Sequence, residues 1–157
     1  MTELQKKFKD DYITLVEAGF IAVNQADEDA AVKLFRAAGL LRPDNTFPQV
    51  GLGYLHLCKL ELKEACRYFE EVLKKEPANE MAKAFLGLTL SLTPHKIDEG
   101  EKVLIAAAKE AKDPTVKQLA EDTIQFVEKY LRKTPSPAEL SAPKSGKTEK
   151  ESSKKKK

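Results

Sequence analysis

A period of 34 residues constrains this chain more than any other feature of its sequence. Gly19, Ala31, Phe35 and Pro43 reappear as Gly53, Ala65, Phe69 and Pro77, each displaced by 34 positions. Self-similarity at a period of roughly 20 to 50 residues marks a stack of supersecondary units, each burying its apolar face against its neighbours. A third copy starts in register at Gly87, but Gly100 and Leu104 stand 35 positions after Ala65 and Phe69. The additional residue is placed in a loop around Leu92 to Ile97. Three copies therefore span about 12–45, 46–79 and 80–113.

Local punctuation reads the copies as helical. Asp27 is placed to cap one helix, Thr46 followed by Pro48 opens another, and Asn79 caps a third. A short polar side chain at such a position accepts from the free N–H groups of the first helical turn. Asp113-Pro114 opens one more helix, in which Val116, Leu119, Ala120, Ile124, Phe126, Val127 and Tyr130 recur at helical spacing. That apolar face predicts a capping helix over 114–133, since an open stack must cover its last unit. Thr2 to Asp11 is read as an extension of the first helix through Leu4 and Phe8, with a separate short helix as the alternative. The expected fold class is all-α.

Composition changes abruptly at Thr134. Beyond it stand three prolines, seven lysines, three glutamates and one Leu, with no aromatic residue. Such a segment cannot bury enough apolar surface to offset its ordering entropy, so 134–157 is expected to be a disordered Lys/Ser/Pro-rich tail. Its +4 is concealed in the chain's formal +2 and leaves −2 for residues 1–133. No strong basic field argues for nucleic acid. No stretch approaches the roughly 20 apolar residues of a membrane span, and Met1 to Asp11 is too charged for a signal peptide. The expected location is cytoplasmic.

Catalytic and metal chemistry lack residues to carry them. Cys58 and Cys66 lie eight apart with only His56 and His95 to complete a metal site, the wrong number and spacing for zinc. The cysteines are read as buried free thiols, and the histidines as packing and loop residues without partners. No nucleophile motif, phosphate loop or paired-glycine fingerprint is present, so neither enzyme activity nor a cofactor is expected.

The recurring Gly, the small-x3-aromatic pair and the closing Pro resemble the tetratricopeptide repeat (TPR), best in the middle copy, LGYLHLCKLELKEACRYFEEVLKKEP. The resemblance implies a right-handed superhelix of three helical hairpins, each an A and a B helix, plus the C-terminal capping helix. Leu15, Gln49 and Lys83 stand where the family usually has Trp, and the third copy lacks its aromatic residue. In that family the A-helix side chains line a concave peptide-binding groove. The repeat register assigns to it Ile13, Val16, Glu17, Phe20, Val23 and Asn24 of the first copy, and Phe47, Val50, Gly51, Tyr54, Leu57 and Cys58 of the second. Met81, Ala84, Phe85, Leu88, Ser91 and Leu92 follow from the third.

Among these residues only Glu17 is charged. The family's best-known clamp grips an acidic C-terminal tail with Lys, Asn and Arg, and its positions here hold Ile13, Glu17, Gly51, Met81 and Phe85, which cannot hold a carboxylate. Such a groove suits the apolar face of an amphipathic helix or an extended apolar segment. Monomers seldom expose more than a few hundred Å² of contiguous apolar surface, so a protein partner is expected, with the chain's own N-terminal segment or a second copy as alternatives.

Three repeats, an apolar groove and a capping helix in a chain of this length are similar to the cytosolic chaperones of bacterial type III secretion. GLLRPDNTFPQVGLGYLHLCKLELKEACRYFEEVL most resembles their needle-subunit group. That likeness implies a chaperone holding a polymerisation-prone needle subunit before export, supported by a small helical co-chaperone. A translocator-type secretion chaperone, or a general TPR scaffold unrelated to secretion, remains the alternative.

Overall fold

The structure, a computed structural model, describes residues 2–132, and all of the regular structure among them is helical. The expected tail over 134–157 lies outside the described residues. A short helix, α1 (Glu3–Lys7), precedes three hairpins: α2 (Asp11–Asn24) with α3 (Glu28–Leu41), α4 (Phe47–Cys58) with α5 (Leu62–Lys75), and α6 (Glu80–Leu92) with α7 (Ile97–Glu110). Helix α8 (Pro114–Phe126) follows and runs into a π-helical turn over Val127–Leu131.

Each hairpin loop holds one residue in the left-handed region: Ala26, Leu60 and His95, at φ 59°, 57° and 63°. In the first two loops the N–H of Asp27 and of Glu61 returns to the carbonyl of Ala22 and of His56, both at 2.9 Å, in a Schellman closure. The third loop, Thr93 to Lys96, is one residue longer, which accounts for the step from 34 to 35.

Three of the predicted caps form as read. Asp27 accepts from the Ala30 N–H at 3.0 Å, Asn79 from Ala82 at 2.9 Å and Asp113 from Thr115 at 2.8 Å. Thr46 does not cap; instead Asn45 Oδ1 accepts from the Phe47 N–H at 2.9 Å. At the N-terminus the alternative reading holds, a separate short helix rather than an extension of the first. Thr2 and Gln5 exchange side-chain-to-backbone bonds (2.7 and 3.2 Å), a capping box that starts α1 as a separate helix. A turn over 8–10 then redirects the chain into α2, and Gln5 Nε2 donates to the Leu40 carbonyl, holding α1 against α3.

Packing within a hairpin places a B-helix side chain over an A-helix glycine. A Cβ at Gly19, Gly53 or Gly87 would stand 2.6 to 2.7 Å from Phe35, Phe69 or Leu104 respectively. Phe35 also covers Gly51 of the next hairpin, where a Cβ would come within 2.3 Å of the ring. One side chain thus closes both a hairpin and the junction to its neighbour. Consecutive helices pack along the chain, and α2, α4, α6 and α8 also touch in succession, whereas α3, α5 and α7 make no extensive contact with one another. The even-numbered helices therefore form the tighter layer. Helix α8 seals the end: Val116, Ala120 and Val127 join Leu104 and Ala107 in one buried cluster. Arg132 adds ion pairs to Asp98 (2.8 Å) and Glu101. Among the described residues no helix is long and apolar enough to cross a membrane.

Candidate functional site

The tighter layer carries a continuous run of aromatic rings. Phe47 lies 5.6 Å from Phe20 between centroids, Phe20 lies 5.8 Å from Tyr54, and Tyr54 lies 5.3 Å from Phe85. The run crosses α4, α2, α4 again and α6, so it depends on the stacking of hairpins rather than on any one helix. Two fully buried rings anchor it from below, Phe35 edge-on to Phe20 at 5.1 Å and Phe69 beside Phe85 at 5.6 Å. Such ring pairs contribute about 0.5 to 1.5 kcal/mol each beyond their burial, which fixes the ladder before anything docks on it.

Repeat-equivalent positions decide which side chains are presented. Ile13, Glu17, Phe20 and Asn24 recur at i, i+4, i+7 and i+11, one stripe of α2. The same stripe is Phe47, Gly51, Tyr54 and Cys58 on α4, and Met81, Phe85, Leu88 and Leu92 on α6. Ile13 (55%) and Phe47 (39%) are exposed, and Phe20, Tyr54, Met81, Phe85 and Leu88 are half-buried. Seven residues assigned to the groove from sequence are instead buried: Val16, Val23, Val50, Gly51, Leu57, Ala84 and Ser91. Val16 packs with Tyr12 and Ala38, while Val50 and Leu57 pack with Ala65, Phe69, Val72 and Ala82. They lie on the flank of the stripe that faces the B helices, and a helix packed against two neighbours has only a narrow face left for solvent. Gly51 is buried under Phe35 and leaves a gap in the stripe of α4.

Polar groups are few and peripheral. Glu17 is exposed, and the Tyr54 hydroxyl donates to Asn24 Oδ1 at 3.3 Å. Burial, and then the neighbouring Cys58, raise the Tyr54 phenol above its ordinary value. Cys58 is exposed rather than buried, which corrects the sequence reading; Cys66 is half-buried, and burial raises its thiol, so it is a weak nucleophile. His56 also has partners that sequence reasoning missed: Nδ1 stands 2.5 Å from Glu61 Oε2 and the ring stacks on Tyr68. Lys59 joins Glu61 to Glu28 across the first two hairpins.

A second apolar surface was also missed. Phe8, Thr14, Leu15, Ala37, Leu40 and Leu41 line a cavity of about 420 Å³ at the N-terminal end of the stack. Leu40 is 72% exposed and Ile21 56%. The repeat alignment held a signal for it, because Leu40 and Leu41 correspond to Lys74 and Lys75 in the second copy and to Lys109 and Glu110 in the third. The first hairpin is apolar where the others are charged.

The all-helical stack of hairpins thus presents an aromatic stripe across α2, α4 and α6 with few ionisable groups in it. No protein-family model matches the chain, and no curated protein matches it.

Proposed function

We propose that the chain is a TPR-type chaperone of the bacterial cytosol that holds an apolar, polymerisation-prone partner segment on the stripe of α2, α4 and α6. The observation that carries this reading is the continuous Phe47–Phe20–Tyr54–Phe85 ladder, in a stripe whose one charged position is Glu17. The repeated Gly and small-x3-aromatic packing supports the TPR assignment, and the closer approach of the even-numbered helices supports a concave side on which the ladder lies. An amphipathic helix fits such a surface by laying its apolar face along i, i+3, i+4 and i+7 anchors. The needle subunit of a type III secretion system is the partner implied by the sequence resemblance. Holding works by mass action: burying the polymerising face lowers free monomer, and release restores assembly. The open N-terminal end around Leu40 offers an apolar seat for the small helical co-chaperone that the same resemblance implies.

The test is co-purification of the tagged chain with its partner, identified by mass spectrometry, compared between wild type and Tyr54→Asp. A charge in the centre of an aromatic hot spot costs about 2 kcal/mol or more, at least roughly a 30-fold loss of affinity. Tyr54 is half-buried at the surface, so helicity should survive. Wild-type recovery of the partner by a folded Tyr54→Asp variant refutes the stripe as the holding surface.

A further inference from the structure

Positions 12, 46 and 80 are equivalent in the three copies, and each lies beside the loop that follows its own hairpin. At the third, the Glu80 carboxylate accepts from the backbone N–H groups of Lys112 (2.9 Å) and Asp113 (3.0 Å). The first two copies have no carboxylate at that place. Tyr12 and Thr46 stand there instead, only 2% and 4% exposed, and neither hydroxyl has a hydrogen-bond partner among the described residues.

At the first junction a guanidinium is unpaired as well. Arg42 lies over the Tyr12 ring with Cζ 4.8 Å from the centroid, and its Nε is buried without a partner. It forms no ion pair among the described residues, although Asp44 and Glu76 border the same cleft. The cleft measures about 620 Å³, and Gln5, Lys9 and Asn45 complete its polar rim. Glu76 is engaged elsewhere, by Asn79 Nδ2 at 3.0 Å. A partly desolvated guanidinium without an anion is unfavourable, and its edge presents two parallel N–H donors that match the two oxygens of a carboxylate.

We propose that this cleft is a carboxylate-binding site, in which the Arg42 fork takes the two oxygens while Lys9 supplies a further donor. The ligand then provides at the first junction the group that Glu80 provides at the third. The site is separate from the aromatic stripe, so it stands whatever that stripe holds. Its carboxylate comes either from a free small molecule or from an acidic side chain of a bound protein segment.

The experiment titrates the full chain with succinate, and separately with an acidic hexapeptide, against chloride at equal ionic strength, following the Arg42 Nε–H resonance by NMR. A saturable shift of that resonance is expected, weakened at least tenfold in Arg42→Lys and several-fold in Lys9→Ala. Succinate binding as tightly as the peptide assigns the small-molecule source; a peptide binding tenfold tighter assigns the protein segment. Arg42→Lys keeps the positive charge over Tyr12, and wild-type circular dichroism checks its fold. Absence of a saturable shift with either ligand, or equal binding by folded Arg42→Lys, overturns the proposal. So does an Asp44→Asn variant that moves the Arg42 resonance by itself as far as ligand does, because Asp44 is then the internal counter-ion.

Discussion

Gly51→Ala tests whether one phenyl ring joins the first two hairpins. The added Cβ would meet Phe35 Cε1 at 2.3 Å and Cζ at 2.4 Å, against an ordinary carbon–carbon contact of about 3.5 to 4.0 Å. The ring therefore has to move by more than about 1 Å. It has little room, because Phe35 is fully buried and its other side lies so close over Gly19 that a Cβ there would also fall within 2.7 Å of the ring. Overpacking a tight core costs about 1 to 3 kcal/mol, here at the upper end, and exchanging Gly for Ala inside a helix returns about 1 kcal/mol. The net expectation is destabilisation by about 2 kcal/mol. Gly39→Ala is the matched control, since a Cβ there meets nothing within 4 Å; it should stabilise by up to about 1 kcal/mol. Urea unfolding followed by far-ultraviolet circular dichroism reads both, and a Phe35→Leu background should reduce the Gly51→Ala cost, giving a favourable coupling of about 1 kcal/mol in a double-mutant cycle. Substitutions of the same sign and size, or a Gly51→Ala chain as stable as wild type, would refute the reasoning.

Other expectations follow from the loops, the stripe and the third junction. Leu60 is 69% exposed in a left-handed conformation that costs a side-chain-bearing residue about 1 kcal/mol, so Leu60→Gly should raise stability by about 0.5 to 1 kcal/mol in the same unfolding assay. Val50→Ala should cost about 2 kcal/mol, and Ile13→Ala less than about 0.5 kcal/mol while weakening partner recovery, which separates core from stripe in one pair of measurements. The backbone donors of Asp113 and then Lys112 hold the Glu80 carboxyl below its ordinary 4.5. The stabilisation is complete above that ordinary value and lost as pH falls through the lowered folded value, so thermal melts of Glu80→Gln should fall below wild type at neutral pH and converge with it in acid. A constant difference across that range would remove Glu80 from the third junction.

Much of the architecture was legible because a repeat reports the same local environment several times. The 34-residue spacing located the hairpin loops, and the slip to 35 located the lengthened third loop, where the structure has Pro94 ahead of the left-handed His95. Asp27, Asn79 and Asp113 were readable as caps because capping is a contact of two or three residues' range. Thr46 was not, because its side chain lies under a neighbouring loop, and the choice between Thr46 and Asn45 depended on packing between hairpins. The choice between an extended first helix and a separate α1 was settled in the same way: docking on α3 through Leu40 goes with the turn of the chain before α2.

The sequence by itself determined that the chain is helical, how its helices pair along the chain, and which positions recur. It did so because helix punctuation and glycine-to-aromatic packing act over short separations and repeat at each copy. Only the tertiary structure decided which flank of each A helix is buried. Val16, Val50 and Leu57 carry the same apolar character as Phe20 and Tyr54, and they differ only in facing a B helix rather than open space. Apolar pattern records that a side chain avoids water; whether the chain itself or another molecule covers it depends on where the neighbouring hairpin comes to rest.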